Sequence, residues 1–274
     1  MMRNKVFSLH SNSFFLKNKF ILGFFVIVIF VAQAHSQQQT LKPLPCLEKK
    51  FNVIVHIVND SLEEANVSLA DIQNGFNEMN GYFEEICVSF KICEVRTIEN
   101  YQYDRLNFIK EEGEMDVYYH DEYRINMYFI KEFTDGAAGR ATLGGIARQN
   151  KNNIWIVKSD NMGGTMAHEM GHFFGLQHTF EVTQVGELVD GSNCATSGDS
   201  LCDTPADPFI FGSSPEVYVN DDCEFDDERF KDANGQFYDP DVKNIMSYYP
   251  CACRFSYQQY EKMARTYLSN TDMW

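Results

Sequence analysis

The stretch TMAHEMGHFFGLQHTF, residues Thr165–Phe180, contains three of the seven histidines of this 274-residue chain. His168 and His172 are four residues apart, so on a helix their imidazoles project from the same side. Gly175 falls where that helix would have to end and turn, because glycine accepts the positive φ of a helix terminus. Such a turn brings His178 back towards the other two histidines. The pattern predicts a three-histidine site for zinc.

Three protein ligands leave the fourth position of a tetrahedral zinc ion to water, as in catalytic zinc sites. Glu169 follows His168 directly and lies about 100° around the helix. Its carboxylate can therefore reach water on the metal and act as a general base. Thr165 is the predicted cap of this helix. The alternative interpretation is an amphipathic helix end with surface histidines and no metal.

Further motifs lie on the C-terminal side of the histidines. The spacing H-E-x-x-H-x-x-G-x-x-H is followed by GDSLCDTPAD at Gly198–Asp207 and by NIMSYY at Asn244–Tyr249. On these motifs the chain, from about Phe51 onward, resembles the metzincin metallopeptidases. Thr179 and Phe180 after the last histidine, together with the GDSLCDTPAD element, are similar to the pappalysin (cytophagalysin-like) branch.

The resemblance implies an α+β fold of the metzincin type, with a catalytic domain at residues 51–274 divided into two subdomains. An upper subdomain, residues 51–178, would hold a twisted five-stranded mixed sheet, a backing helix and the active-site helix. A lower subdomain, residues 179–274, would be irregular and disulfide-bonded, with the methionine-containing turn and a C-terminal helix. The exposed edge strand above the cleft, which pairs with extended substrate in the family, would be GRATLGGIA at 139–147.

The resemblance also assigns roles to single residues. Tyr248 matches a tyrosine that stabilises the developing oxyanion by hydrogen bonding, and Tyr249 is the alternative donor. Met246 would support the zinc site from below by packing, without binding the metal.

The family often places calcium near the cleft, at a position matched here by three residues. They are Asp199, Asp203 and Thr204. Carboxylate and carbonyl oxygens suit calcium, but aspartates in a turn equally cap backbone N–H groups. Calcium is therefore a candidate cofactor, with backbone capping as the alternative.

Hydrophobic periodicity predicts the regular elements without reference to any family. Alternation from Phe51 predicts a strand, and Ser68 precedes an amphipathic helix that it can cap. The apolar stripe of that helix consists of Leu69, Ile72, Phe76, Met79, Phe83 and Ile86. The predicted order up to Phe180 is strand, helix, four strands, helix. Regular patterning then stops until a capping box of Ser256 and Gln259 opens a C-terminal helix.

The first 34 residues resemble a secretory signal peptide. Basic residues precede an apolar run at 20–32, and Ala32-Gln33-Ala34 forms a cleavage pattern. The run is too short to span a bilayer comfortably, which takes about 20 residues, and an uncleaved anchor is the alternative. We therefore predict a secreted protein, extracellular or periplasmic, with a short N-terminal segment at residues 35–50.

The charge balance excludes some partners. Removal of residues 1–34 deletes four positive charges and no negative ones, which takes the formal net charge from −16 to −20. An acidic surface of this size repels nucleic acid and anionic lipid, so neither is an expected partner.

All eight cysteines lie beyond the predicted signal peptide: Cys46, Cys87, Cys93, Cys194, Cys202, Cys223, Cys251 and Cys253. An even count in an exported chain predicts disulfides, while a cysteine-ligated structural zinc is the alternative. The pairing does not follow from the sequence. For Cys46 we predict a disulfide, with a latency thiolate on the metal as the alternative.

These observations favour a secreted zinc endopeptidase that acts on polypeptides. The alternatives are a secreted binding protein on the same scaffold that has lost its chemistry, and a zinc hydrolase for a non-peptide substrate. The predicted edge strand favours a polypeptide, because an extended chain can pair with it. The sequence predicts neither the side-chain specificity nor the oligomeric state.

Overall fold

The computed structural model describes residues 42–148, 151–159, 161–181, 186–226 and 228–274. Within it, Pro43–Trp274 form one compact unit. The predicted signal peptide at 1–34 and the start of the segment at 35–50 lie outside the described residues. Across these described ranges, no helix is both long and apolar enough to cross a membrane. The predicted subdomain boundary at residues 178 and 179 stays a prediction.

A five-stranded mixed sheet forms the centre of the fold. Its strands are β1 (Lys49–Val58), β2 (Val88–Ile98), β4 (Ile125–Ile130), β6 (Gly139–Ala141) and β7 (Asn153–Val157). Across the sheet they follow the order β2-β1-β4-β7-β6. The first four neighbours pair in parallel, and β6 joins β7 in antiparallel orientation at the edge. Two-residue strands β3 (Arg105–Leu106) and β5 (Glu132–Phe133) form a separate parallel pair. The predicted α+β class and five-stranded mixed sheet are confirmed.

Helix α1, Leu69–Phe83, backs one face of this sheet. The Ser68 hydroxyl accepts a hydrogen bond from the backbone N–H of Asp71, and the Asp71 carboxylate accepts one from the Ser68 N–H. This capping box satisfies two backbone donors at the start of the helix. The predicted apolar stripe is buried except for Leu69, which is 55% exposed and lies outside the buried face.

Both faces of the sheet are covered, which the alternating pattern of β1 did not predict. Ile54, His56 and Val58 are as buried as the residues between them. Strands of a parallel sheet are commonly buried on both faces in this way. The second face packs under helix α2, Phe108–Tyr119.

Helix α2 was not predicted from the sequence. Only Met115 of this helix is fully buried, while Ile109 and Val117 are 95% and 79% exposed. A helix that buries so little of its apolar surface carries a weak periodic signal.

The helix that carries the histidine motif, α3, spans Gly163–Phe173 and begins two residues before the predicted cap. Thr165 therefore lies inside the helix, and the prediction that it caps the helix is wrong. Met162 occupies the N-cap position without a side-chain hydrogen bond. Gly163 packs against Glu78 of α1, and any side chain at position 163 would collide with Glu78. Glycine therefore permits the start of α3 to pack against α1.

The predicted edge strand is shorter in the structure than in the sequence analysis. Only Gly139–Ala141 pairs as a strand, and a turn and the short 3₁₀ helix Gly145–Ala147 follow. Gly144 has φ of +66°, and an added Cβ at Gly145 would lie 2.7 Å from the ring of Phe173. The chain therefore leaves the sheet at this point and packs against the end of α3.

The described part of the chain from Glu181 to Ser256 contains one short 3₁₀ helix, Pro215–Val217, and isolated bridges. Regular structure resumes with α4, Tyr257–Leu268, which opens with the predicted capping box of Ser256 and Gln259. The predicted loss of regular patterning in this region and the C-terminal helix are confirmed.

Six of the eight cysteines form disulfides. The pairs are Cys46–Cys87, Cys194–Cys202 and Cys223–Cys251. The predicted disulfides are confirmed, and the remaining two cysteines, Cys93 and Cys253, are free and exposed. Cys46 is bonded to the residue that ends the turn before β2, so its thiol is not free to reach the histidines.

Candidate active site

The three predicted histidines come together at one point. α3 presents His168 and His172 one turn apart, and Gly175, with φ of +91°, turns the chain back after the helix. The Nε2 atom of His178 then lies 3.2 Å from Nε2 of His168 and 3.0 Å from Nε2 of His172. Of the histidine, cysteine and acidic side chains among the described residues, these three histidines are the group whose donor atoms lie close enough together to hold a metal ion.

The other ring nitrogens decide which atoms face inward. Nδ1 of His168 donates to the carbonyl of Ile245 at 2.6 Å, and Nδ1 of His172 donates to the carbonyl of Leu176 at 2.7 Å. With Nδ1 protonated, the lone pair of a neutral imidazole is on Nε2, directed at the common point. Backbone carbonyls thus fix the tautomer that a metal requires.

Burial also favours neutral rings. Burial lowers the pKa of His168 to about 3, with the neighbouring His172 acting in the same direction. It lowers the pKa of His178 to about 2, and the pKa of His172 falls for the same reason. Three neutral imidazoles with converging nitrogen donors are a suitable donor set for zinc.

Glu169 lies beside this point and is 5% exposed. Burial raises the pKa of Glu169 to about 8, while the guanidinium of Arg140 acts in the opposite direction. Arg140 is held on the upper rim by an ion pair with Asp135 and by stacking over the ring of Phe108, 4.9 Å from its centroid. Arg140 was not predicted from the sequence, because a single arginine in a short strand carries no recognisable motif.

The methionine-containing turn lies directly beneath the histidines. Met246 is fully buried, and its sulfur lies 2.6 Å from where a Cβ on Gly171 of α3 would stand. The turn is fixed by Asn244, whose side-chain oxygen accepts from the N–H of Met246 and whose amide exchanges two hydrogen bonds with that of Gln259. The turn therefore supports α3 by packing and links it to α4.

The two tyrosines after this turn have different surroundings. The Tyr248 ring lies 4.9 Å from the His178 ring and 5.6 Å from the His168 ring, and it lines the cleft. Burial raises the pKa of Tyr248 to about 12, so its hydroxyl stays a donor. Tyr249 instead points into the lower core, where its hydroxyl donates to Asp207 at 2.8 Å. The placement favours Tyr248 over Tyr249 as a donor to substrate.

A cleft of about 700 Å³ runs past His168, between β6 and segments of the chain after residue 180. Its walls include Asp135, Gly139, Arg140, His168, Glu169, Phe209, Phe211, Tyr248 and Pro250. β6 forms the upper rim. Val157 donates to the carbonyl of Ala138 and Thr142 donates to that of Asn153, so the alternate residues Gly139 and Ala141 direct their backbone groups away from β7.

The three calcium candidates separate in the structure. Asp199 is 1% exposed, its Oδ1 accepts from the Thr204 hydroxyl at 2.8 Å, and its Oδ2 has no hydrogen-bond partner. Asp203 is exposed, and its two oxygens accept from the Ser256 hydroxyl and from the N–H of Gln258 at the start of α4. Backbone capping thus describes Asp203, while Asp199 and Thr204 stay together.

Glu187 was not identified from the sequence, because it follows a stretch without any motif. It is 8% exposed, and burial together with the charges of Asp199 and Asp207 raises its pKa to about 8. A buried carboxylate therefore lies near Asp199.

Comparison with known proteins identifies a family and several relatives. Residues 118–267 match the family model described as pregnancy-associated plasma protein-A (peptidase family M43), which covers more than half of the chain. An extracellular metalloprotease of the fungus Colletotrichum graminicola is 33% identical over 96 residues, 30% of each chain. One from Arthroderma benhamiae is 25% identical over 173 residues, 57% of this chain and 58% of its own. The matched segments thus span 30% and 58% of the lengths of these two curated relatives.

Among solved structures, mature mirolysin of Tannerella forsythia, in complex with a cleaved peptide, has a TM-score of 0.54. It is 17% identical, and the match covers 82% of this chain and 97% of that chain. A similarity at this level of identity shows a common fold. With the family match over 118–267 and the three converging histidines, zinc is the implied metal, and the chain belongs to the pregnancy-associated plasma protein-A family of metallopeptidases.

Proposed function

We propose that the protein is a secreted zinc endopeptidase that hydrolyses peptide bonds in polypeptides. The observation that carries the proposal is the convergence of three Nε2 atoms, with those of His168 and His172 at 3.2 and 3.0 Å from that of His178, and with Glu169 next to His168 on α3. His168, His172 and His178 would hold the metal. When bound there, zinc would polarise the substrate carbonyl and lower the pKa of water.

The protein's own residues supply the proton transfers. Glu169 would accept a proton from the attacking water and deliver it to the departing amine nitrogen. The side chain of Glu169 is buried against Gly139 of β6, which restricts the directions in which the carboxylate can point. The Tyr248 hydroxyl would donate to the oxygen on which negative charge develops.

The shape of the cleft supports an extended polypeptide as substrate. Gly139 and Ala141 offer N–H and C=O groups along the upper rim, and a strand can pair with them. Peptidase relatives act on the same class of substrate, and the binding-protein alternative has no observation in its favour, because all three histidines and Glu169 are present.

Cleavage of an unfolded protein tests the activity. The protein starting near His35 is expected to cleave it, and Glu169→Ala is expected to lower kcat by about 10³-fold or more while zinc content stays near one per chain. A zinc-loaded, folded parent without cleavage would contradict the peptidase proposal. Equal cleavage by the variant would remove Glu169 from the mechanism.

The role of Tyr248 has a matched control next to it in the chain. Tyr248→Phe is expected to lower kcat about 10- to 100-fold with little change in KM, because a donor to the transition state is lost. Tyr249→Phe loses only its bond to Asp207 and is expected to lower thermal stability rather than kcat. The opposite pattern would assign the donor role to Tyr249.

We extend the metal proposal to calcium at Asp199 and Thr204, with Glu187 in place of Asp203. The unpartnered Oδ2 of buried Asp199 and the nearby buried carboxylate of Glu187 suit an ion with oxygen ligands. After chelation and restoration of zinc, calcium is expected to raise Tm in the parent and in Asp203→Asn but not in Asp199→Asn. A Tm that does not respond to calcium would exclude the site.

Secretion is proposed with cleavage after Ala34. The relatives named above are extracellular metalloproteases, and the charge and cysteine content agree with export. N-terminal sequencing of protein from the culture medium is expected to begin near His35. A product that starts at Met1 in the membrane fraction would favour the uncleaved anchor.

A further inference from the structure

Gly139 of the edge strand lies against the side chain of Glu169, the proposed general base. A Cβ added to Gly139 would lie 2.8 Å from Cγ and 2.8 Å from Oε1 of Glu169. It would also lie 3.0 Å from Cγ2 of Thr165, one turn earlier on α3. Real Cβ atoms essentially never approach other heavy atoms to 2.8 Å, so this space is already filled by the Glu169 side chain.

The backbone at Gly139 does not explain the glycine. The φ of this residue is not positive, and it pairs opposite Ile156 in regular antiparallel register. An alanine could therefore adopt the same backbone, and in a strand it costs less conformational entropy than glycine does. What excludes a side chain here is the position of Glu169.

The register explains the direction of the missing side chain. Arg140 pairs opposite Trp155, whose ring lies in the core on the far face of the sheet. Since consecutive residues of a strand point to opposite faces, position 139 faces α3. The Gly144 N–H donates to the carbonyl of His172 at 2.9 Å, so the chain after β6 is tied to the same helix and has little freedom to move away.

We infer that Gly139 is a positioning residue: the absence of its side chain lets β6 press against Glu169 and hold the carboxylate towards the three histidines. Thr165 closes the other side of the space. An added methyl group therefore displaces Glu169 rather than finding room elsewhere. The inference rests on the proposed function for its effect on rate, but its packing component can be measured without activity.

The test is a Gly139→Ala variant made in the parent and in Glu169→Ala, with Gly81→Ala as control. Gly81 lies on α1, where an added Cβ meets nothing within 4 Å. In the parent, Gly139→Ala is expected to lower kcat about 10- to 100-fold with KM within about threefold and zinc content unchanged, since a base displaced by about 1 Å costs that much. Gly81→Ala is expected to keep the parent's kcat and KM.

Thermal stability is the second measurement, and it does not depend on activity. Gly139→Ala is expected to lower Tm by about 3 °C in the parent, but to leave it unchanged or higher in Glu169→Ala, where the colliding atoms are gone. If Gly139→Ala alone does not fold, the double variant is expected to fold.

Two outcomes overturn the inference. The first is an unchanged kcat in Gly139→Ala. The second is an equal loss of Tm in both backgrounds, which would mean that the methyl group acts without involving Glu169. A parent that binds zinc but cleaves nothing would refute the proposed function, while the stability arm would still decide the packing claim.

Discussion

The region before residue 180 and the region after it are stabilised in different ways. Before residue 180, two apolar clusters cover the two faces of a sheet, and regular helices and strands satisfy the backbone. Among the described residues after it, α4 and the methionine-containing turn join the first of these clusters, while the rest has few regular elements, a small and mainly aromatic cluster, two disulfides and many side chain–backbone hydrogen bonds. Both regions contribute residues to one cleft. An irregular region can therefore position catalytic groups when hydrogen bonds from polar side chains take the place of the backbone hydrogen bonds of helices and sheets.

Asp207 is the centre of the polar network after residue 180. Its carboxylate accepts from the hydroxyls of Thr179, Ser247 and Tyr249, at 2.6, 2.8 and 2.8 Å. These three residues come from the histidine segment and from the methionine-containing turn. One side chain therefore joins the segments that form the lower wall of the site.

The largest expected effects are those of two side chains, one in each region. Asp207→Ala removes the acceptor of three hydroxyls at once, and we expect a loss of about 3 kcal/mol in the free energy of unfolding. Truncation of a buried ring before residue 180, Phe83→Ala, is expected to cost at least as much, about 3–5 kcal/mol. Urea unfolding of both variants measures this.

The control for Asp207→Ala is Asp203→Ala, an exposed carboxylate that caps α4. It is expected to cost about 1 kcal/mol. Equal costs for Asp203→Ala and Asp207→Ala would mean that Asp207 has no special role, and the contrast between the two regions would weaken.

A smaller effect is expected on removal of the Cys194–Cys202 disulfide. The cysteines are eight residues apart, so their link restricts a short loop in the unfolded chain. Replacement of both by serine is expected to cost about 2 kcal/mol. Replacement of the free Cys93 by serine, measured in the same unfolding experiment, is expected to cost little. A neutral double variant would show that hydrogen bonds alone stabilise the loop.

The smallest effect concerns a polar residue before residue 180. Burial raises the pKa of Asp116 on α2 from 3.8 to about 6. Because the folded pKa is the higher one, its contribution is fully present below about pH 3.8 and is lost as the pH rises through 6. Asp116→Asn is therefore expected to be more stable than the parent by about 1 kcal/mol at pH 7.5, a value reduced for partial exposure, and equal at pH 3.5. A difference that does not change with pH would contradict this assignment.

The same contrast explains what the sequence predicted. Ser68 and Ser256 open helices whose caps and apolar faces depend on neighbours within four residues, so both helices were predicted correctly. The spacing of His168, His172 and His178 is local in the same sense. Glycine at 175 was predicted to turn the chain because a positive φ is a local requirement.

What the sequence did not predict depends on distant contacts. The start of α3 depends on the packing of Gly163 against α1, and α2 buries only Met115 completely. The role of Asp207 arises from hydroxyls up to 42 positions away in the chain. The disulfide partners and the lack of space for a side chain at Gly139 are likewise set by the folded structure, which no local pattern encodes.

The arrangement of the cysteines has a consequence for preparation of the protein. Cys223 is bonded to Cys251, and the free Cys253 is only two residues further on. During oxidation Cys223 therefore has two nearby thiols to choose from, and exchange between them proceeds through the thiolate. Air-oxidised material is expected to contain a second isomer and disulfide-linked dimers, while Cys253→Ser with a thiol-exchange catalyst is expected to give one species on a non-reducing gel.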